Sequence, residues 1–373
     1  MTKGSHRGRW LAAATVCTGL LFGIRGVTRA EAEHGAAVPT VELWIAATPH
    51  VDGATSSEVR FVRHGQDLDA EQTWATIHHA PNVPIRGDVL ADRQSVVIAF
   101  EPEGADPRDD FSTEVHRVDR QGVKRLAGGL YRATRPFVTK TGAVFVERGQ
   151  AGGASLGLQA KAGELRVDRL TIDELDPETG ALRQVVLWSG FTMHLVGEWR
   201  DALVVYRVGP HGADVSLIRI DDGSILAGLP IAPFARDFVI AGDHVALSNR
   251  DPIVDQRWVL SSIDLKTFAV ATLGQAYGQS PIPFVTAQAI IGMSAAPSTM
   301  PRSESGVLLL ARERGDVPLA MSDDGAFTIS LTPGEFDLTE DVHVGSKHRV
   351  RLTSRDERVE FIGYRAGTKG ALR

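Results

Sequence analysis

Chemistry written locally in this chain should show in serines, histidines and acids at motif spacing. The stretch "GASLG" (153–157) fits the G-x-S-x-G pattern, with Ser155 in the nucleophile's place. That pattern works by holding the serine on a strained strand-to-helix turn beside backbone donors, with a His and an acid supplied from elsewhere. Here it stands in a Gly-rich run with no helical pattern after it, and it reads as a loop. "TIHHAP" puts His78 beside His79, but neighbours on a strand point to opposite faces, so the two do not chelate one ion. No H-x-H, H-E-x-x-H or EF-hand-like loop occurs. No catalytic, cofactor-binding or metal-binding residue is therefore assigned, and no cofactor is expected.

Two acidic loops are better suited to holding a partner. "EGADPRDDFSTE" (103–114) carries Asp106, Arg108, Asp109 and Asp110, and "NRDPIVDQRW" (249–258) carries Arg250, Asp251, Asp255 and Trp258. Both mix Asp, Arg and an aromatic residue, which suits hydrogen-bonded recognition on a loop. The "RGD" at 86–88 opens a strand and is given no adhesion role.

The elements that must position these loops are short and repeated. Gly (38) and Pro (18) punctuate brief Val/Ile/Leu/Phe runs about every ten residues, and nothing sustained has helical spacing. "RPFVTKTGAVFVERG" (135–149) reads as an extended start, a polar turn ending in Gly142 and a second apolar run. The same pattern recurs from Val89, Leu195, Phe238, Phe284 and Ile329, so that successive starts lie 48, 58, 43, 46 and 45 residues apart. A second landmark follows each one: a strand ending in an apolar residue, usually an Asp, then a turn, as in "HRVDRQG", "DELDPETG", "IRIDDGS" and "SSIDLKT". Each unit thus holds two hairpins, and four strands in 40–50 residues is the period of a β-propeller blade. The 58-residue unit fits if residues 149–164 are an inserted loop. Residues 41–79 make a further, abbreviated unit.

Residues 1–32 look like an export signal: a basic start, the uncharged core "WLAAATVCTGLLFGI" and the small-x-small end Ala30-Glu31-Ala32. The core is shorter than the roughly 20 apolar residues that span a bilayer. Cleavage near Ala32 is expected, with an uncleaved anchor as the alternative. These residues hold five Lys/Arg and one Glu, so their removal takes the formal charge from −6 to −10. Nucleic acid and anionic membranes become poor partners. Cys17, the single cysteine, leaves with the leader, and a chain of this size buries enough core without disulfides.

The hairpin followed by "IDxxxG" resembles bacterial TolB-like and WD-repeat-like β-propellers. It departs from them in its turns, "TKTG", "ADRQ" and "IAGD", where the family pattern reads S-P-D-G, and only "SDDGAFTIS" (322–330) comes close. TolB's N-terminal α/β domain has no room here. A fainter likeness links residues 322–339 to small β-sandwich modules of the carboxypeptidase-regulatory type. The expected fold is all-β, a single propeller over 33–373 with seven blades of four antiparallel strands, starting near 41, 86, 135, 192, 236, 282 and 327. Six blades is the alternative, and the terminal strands close the ring. The expected function is an exported, periplasmic or secreted, monomeric binding or scaffold protein whose loop face holds a protein, peptide or glycan. The alternative is a propeller hydrolase or lyase with a site dispersed around the channel.

Overall fold

The computed structural model describes residues 41–64, 70–106, 112–149, 168–277, 282–285, 290–294, 308–311, 317–321, 328–333, 340–344 and 357–366. These hold 26 strands, numbered in chain order, and no helix, so among the described residues no helix is long and apolar enough to cross a membrane. Five sheets are four-stranded and antiparallel. Sheet one joins β1 (Val41–Pro49), β2 (Ser56–His64) and β3 (Ala70–His78) to β26 (Glu357–Ala366) in the order β26-β1-β2-β3. Sheet two is β4 (Arg86–Val89), β5 (Ser95–Phe100), β6 (Thr113–Asp119) and β7 (Gly122–Leu130). Sheet three is β8 (Phe137–Val138), β9 (Val144–Gly149), β10 (Asp168–Leu175) and β11 (Leu182–Gly190). Sheet four is β12 (Thr192–Trp199), β13 (Ala202–Gly209), β14 (Gly212–Arg219) and β15 (Ile225–Ile231). Sheet five is β16 (Ala235–Ala241), β17 (His244–Arg250), β18 (Arg257–Asp264) and β19 (Val270–Tyr277).

Two further sheets have three described strands each: β20 (Ile282–Val285), β21 (Ile290–Ser294) and β22 (Leu308–Ala311), then β23 (Val317–Met321), β24 (Thr328–Pro333) and β25 (Glu340–Val344). β21 and β22 pair in parallel, unlike the antiparallel pattern read from the repeat. Residues 295–307 between them are long enough for the crossover that parallel pairing needs. The apolar run near 329 forms β24, the second strand of its sheet, with β23 before it.

The second strand of each sheet explains the unbroken apolar runs. Alternate residues of a strand face opposite ways, and here both faces are covered. Val96, Ile98 and Phe100 of β5 pack with Trp44, Phe61 and Trp74 of sheet one, whereas Val97 and Ala99 pack with Val144 and Val146 of sheet three. Phe145 of β9 turns the other way, onto Leu203 and Val205 of sheet four, and Val204 and Tyr206 of β13 meet Val245 and Leu247 of sheet five. Each such side chain contributes about 1.5–3 kcal/mol by leaving water, and none is satisfied within its own sheet.

The Asp landmark marks the end of the third strand, where its carboxylate builds an Asx turn. Asp176 Oδ1 accepts from the Glu178 and Thr179 N–H groups at 2.8 and 3.0 Å, and Asp264 Oδ1 from Lys266 and Thr267 at 2.8 and 3.1 Å. Sheet four uses Asp222, bonded to Ser224 N–H at 2.9 Å, rather than Asp221. The glycines that end these turns press on the preceding sheet. A Cβ on Gly180 (φ +78°) would lie 2.0 Å from Leu126 O, and one on Gly223 (φ +70°) 2.0 Å from Val185 O.

Up-and-down order gives each sheet two different ends. First-to-second and third-to-fourth connections form a turn end, while second-to-third connections and the crossings to the next sheet form a loop end. Contacts between sheets keep these ends aligned. At the turn end Lys140 N–H donates to Glu198 Oε2 (2.9 Å), Trp199 Nε1 to Asp243 Oδ1 (3.1 Å) and Arg183 Nη1 to Asp221 O (2.9 Å). First strands of successive sheets also touch: β26 with β4, β4 with β8, β12 with β16, β16 with β20 and β20 with β23.

Candidate functional site

The loop end of sheet five carries the second of the two loops singled out by sequence. Asp251 builds the loop: its Oδ1 accepts from Ile253 and Val254 N–H at 2.8 and 2.9 Å, and its Oδ2 takes Arg257 Nε at 2.8 Å. Those backbone bonds, then Arg257, hold the Asp251 carboxyl below the usual carboxylate range. Arg250 and Asp255 pair on the surface at 3.0 Å. Trp258, half-buried, lies opposite Arg250 in register, with the Arg236 guanidinium 5.8 Å from its ring centroid.

Beside that surface ion pair, this loop end turns two large apolar side chains outward. Ile253 is 89% exposed, and Phe234, whose carbonyl accepts from Arg250 N–H at 3.4 Å, is 70% exposed. Phe234 also has φ +69°, a conformation costly for a bulky side chain. Neither stands out in the sequence, where "PFAR" and "DPIV" look like any other apolar position. In the first loop, Asp106 is exposed at the loop end of sheet two, while Arg108, Asp109 and Asp110, like Ser155, lie outside the described residues.

A second constellation lies where sheets one and two meet. His78 is exposed and His79 fully buried, as strand alternation requires. His79 Nε2 is 2.7 Å from Ser57 Oγ, and Ser57 Oγ is 2.6 Å from Thr48 Oγ1; all three residues are at most 4% exposed. His79 Nδ1 lies 2.8 Å from Ala80 O, which only accepts, so Nδ1 carries a proton. In the neutral imidazole Nε2 then accepts from the Ser57 hydroxyl, and Ser57 in turn accepts from Thr48. A serine and a histidine 22 residues apart meet only because of the β1–β2–β3 register, a signal no motif carries.

Along the first strands, carboxylates tie one sheet to the next. Ile85 N–H donates to Glu360 Oε2 (2.7 Å) and Val138 N–H to Asp88 Oδ2 (3.0 Å). Arg135 donates through Nε to Gly87 O at 2.8 Å and through Nη2 to Ile362 O at 3.2 Å, spanning sheets three, two and one. Buried Glu147 accepts from Leu195 N–H and lies 3.4 Å from His194 Nδ1. This pairing raises the His194 pKa against the effect of burial. Among the described residues no group of three or more His, Cys, Asp or Glu is placed to hold a metal ion.

No protein-family model matches the chain, and no curated protein sequence matches it. Solved structures do. The chain is similar to Pyrococcus horikoshii acylaminoacyl peptidase at 9% identity, covering 86% of this chain and 53% of that one with a TM-score of 0.51. The likeness is one of fold. The chain thus spans about half the length of that peptidase. TolB from Acinetobacter baumannii matches at 11% identity over 95% of this chain and 74% of its own (TM-score 0.48). The β-propeller domain of the trilobed protease from Pyrococcus furiosus matches at 10% identity over 84% and 97% (TM-score 0.47). The solved structures similar to the chain thus include TolB and another β-propeller protein.

Proposed function

We propose that this chain is an exported, non-enzymatic binding propeller whose loop end holds a protein or peptide partner. The observation that carries the reading is Phe234: a bulky aromatic held at positive φ and 70% exposed, at the same loop end as Ile253. Strain and exposure of this kind cost stability and are retained where a partner repays them. Their apolar character favours protein or peptide over glycan. Seven sheets, the pairing of β26 with β1 and the contact of β25 with β26 support a seven-bladed ring closed by the terminal strands. The leader-like residues 1–32 support export. Arg250, Asp255 and Trp258 would form the polar surround of the docking surface, over the turn that Asp251 shapes, with Asp106 at the same end of sheet two.

The test is a photo-crosslinking amino acid at position 253 at the loop end, compared with position 93 at the turn end, in cells making the full chain. A discrete adduct at 253 and none at 93 is expected. Equal labelling at both positions, or none at either, would refute the reading.

One observation favours the alternative of a propeller hydrolase or lyase: His194 is a partly exposed imidazole on a first strand, oriented by buried Glu147. That reading requires an activity that His194→Asn abolishes without changing Tm.

A further inference from the structure

We propose that the cleft at the loop end of sheet one is a binding site for a peptide carboxylate, with Arg358 as its anchor. This deepens the reading of the loop end as a binding face. The cleft, of about 240 Å³, is lined by Thr48, His50, Asp52, Asn82 and Arg358 among others. It is formed by the β1–β2 connection, the β3–β4 connection and the first turn of β26, where Arg358 stands opposite Thr48.

Among the described residues Arg358 is a cation without an acid. Its Nη2 donates to Val83 O at 3.3 Å, its Nε is buried with no acceptor, and among the described residues it forms no ion pair. The neighbouring acids are engaged: Glu357 holds Arg60 at 2.6 Å and Glu360 accepts from Ile85 N–H. A guanidinium does not shed its proton, and a buried donor left open costs about 1–3 kcal/mol, more when charged. Such a group facing a cleft is prepared for an anion, and its planar fork suits a carboxylate. A phosphate would bring about −1.5 to −2 charges against one guanidinium, with Asp52 on the same wall. Thr48, beside Arg358 in register, supplies an acceptor. Thr48 commits its proton to Ser57 when His79 is neutral, so its oxygen is left to receive an N–H, as from a peptide amide beside the carboxylate.

The test uses the full mature chain at low ionic strength, titrated by saturation-transfer NMR with three peptides. These are acetyl-Gly-Gly-Gly with a free C-terminal carboxylate, acetyl-Gly-Glu-Gly-amide and, as control, acetyl-Gly-Gln-Gly-amide. At least one carboxylate peptide is expected to bind about tenfold more tightly than the control, and which one does so tells a chain terminus from an acidic side chain. Arg358→Gln should remove that preference and Arg358→Lys restore part of it. Asn82→Asp, which adds a charge without touching the packing of Arg358, should weaken the same peptide. Phe234→Ser with Ile253→Ser should leave it unchanged. Equal binding of all three peptides, or a preference that survives Arg358→Gln, overturns the proposal. A preference lost in the Phe234/Ile253 variant instead places the peptide at sheet five, which overturns the cleft assignment and leaves the loop-end reading standing.

Discussion

Ser57→Ala isolates the buried hydroxyl chain, because it deletes one oxygen and leaves almost no cavity. Ser57 is 1% exposed and bonds Thr48 at 2.6 Å and His79 at 2.7 Å. Two hydrogen bonds are lost at about 1 kcal/mol each. His79 Nε2, in a fully buried residue, is then left without a donor, which adds up to about 1–3 kcal/mol. Thr48 borders the cleft and can turn to water, so it adds little. The expected loss is about 3–5 kcal/mol. With an unfolding entropy near 2 cal/mol/K per residue over the 341 residues of 33–373, this corresponds to a Tm lowered by about 4–7 °C. Thermal unfolding followed by tryptophan fluorescence suits the question, since Trp44 and Trp74 sit in the neighbouring core cluster. Thr48→Val should cost less in the Ser57→Ala background than alone, with a coupling of about 1 kcal/mol. A Tm shift under about 1 °C, or strictly additive substitutions, would refute the chain as drawn.

Three further outcomes are expected. Asp176, Asp251 and Asp264 have folded-state pKa values lowered by turn N–H groups, so their stabilisation is complete above the unfolded value near 3.9 and fades as pH falls through the folded values. Asp264→Asn should therefore flatten the acid limb of a Tm-versus-pH curve, and parallel curves would contradict the Asx-turn account. Gly180→Ala should cost about 1–3 kcal/mol more than Gly53→Ala, measured by urea unfolding, because both have φ near +75° but only Gly180 faces a backbone oxygen at 2.0 Å. Ending the chain at residue 356 removes β26, uncovers the nine-residue edge of β1 and takes Glu357 from Arg60, which keeps Glu58 and Glu71. Size-exclusion chromatography should then show aggregation, and a folded monomer with native Tm would rule out a structural role for the β1–β26 pair.

The repeat was legible because it reports local geometry. "VVIAF", "VFV" and "LVVY" lack alternation since their strands are covered on both faces, and the Asp that recurs after the third strand closes an Asx turn. The Gly after it was visible as a turn signal, whereas its contact with the preceding sheet was not. What stayed hidden depends on register and on which end of a sheet a loop leaves from. Ser57 and His79 meet across strands, Phe234 and Ile253 carry apolar side chains that only topology exposes, and among the described residues Arg358 forms no ion pair. Asp251, named from its loop as a partner-binding residue, serves the loop's own backbone.

The pairing of β26 with β1 also fixes how the molecule can be held. Val41 and Ala366 are register partners, and both stand at the turn end, opposite Phe234, Ile253 and Arg358. A tether attached before the first strand or after the last leaves from the side away from the loops. Anchored to a membrane or a bead by either terminus, the protein would stand with its loop end outward, facing the surrounding space and turned from the surface that holds it.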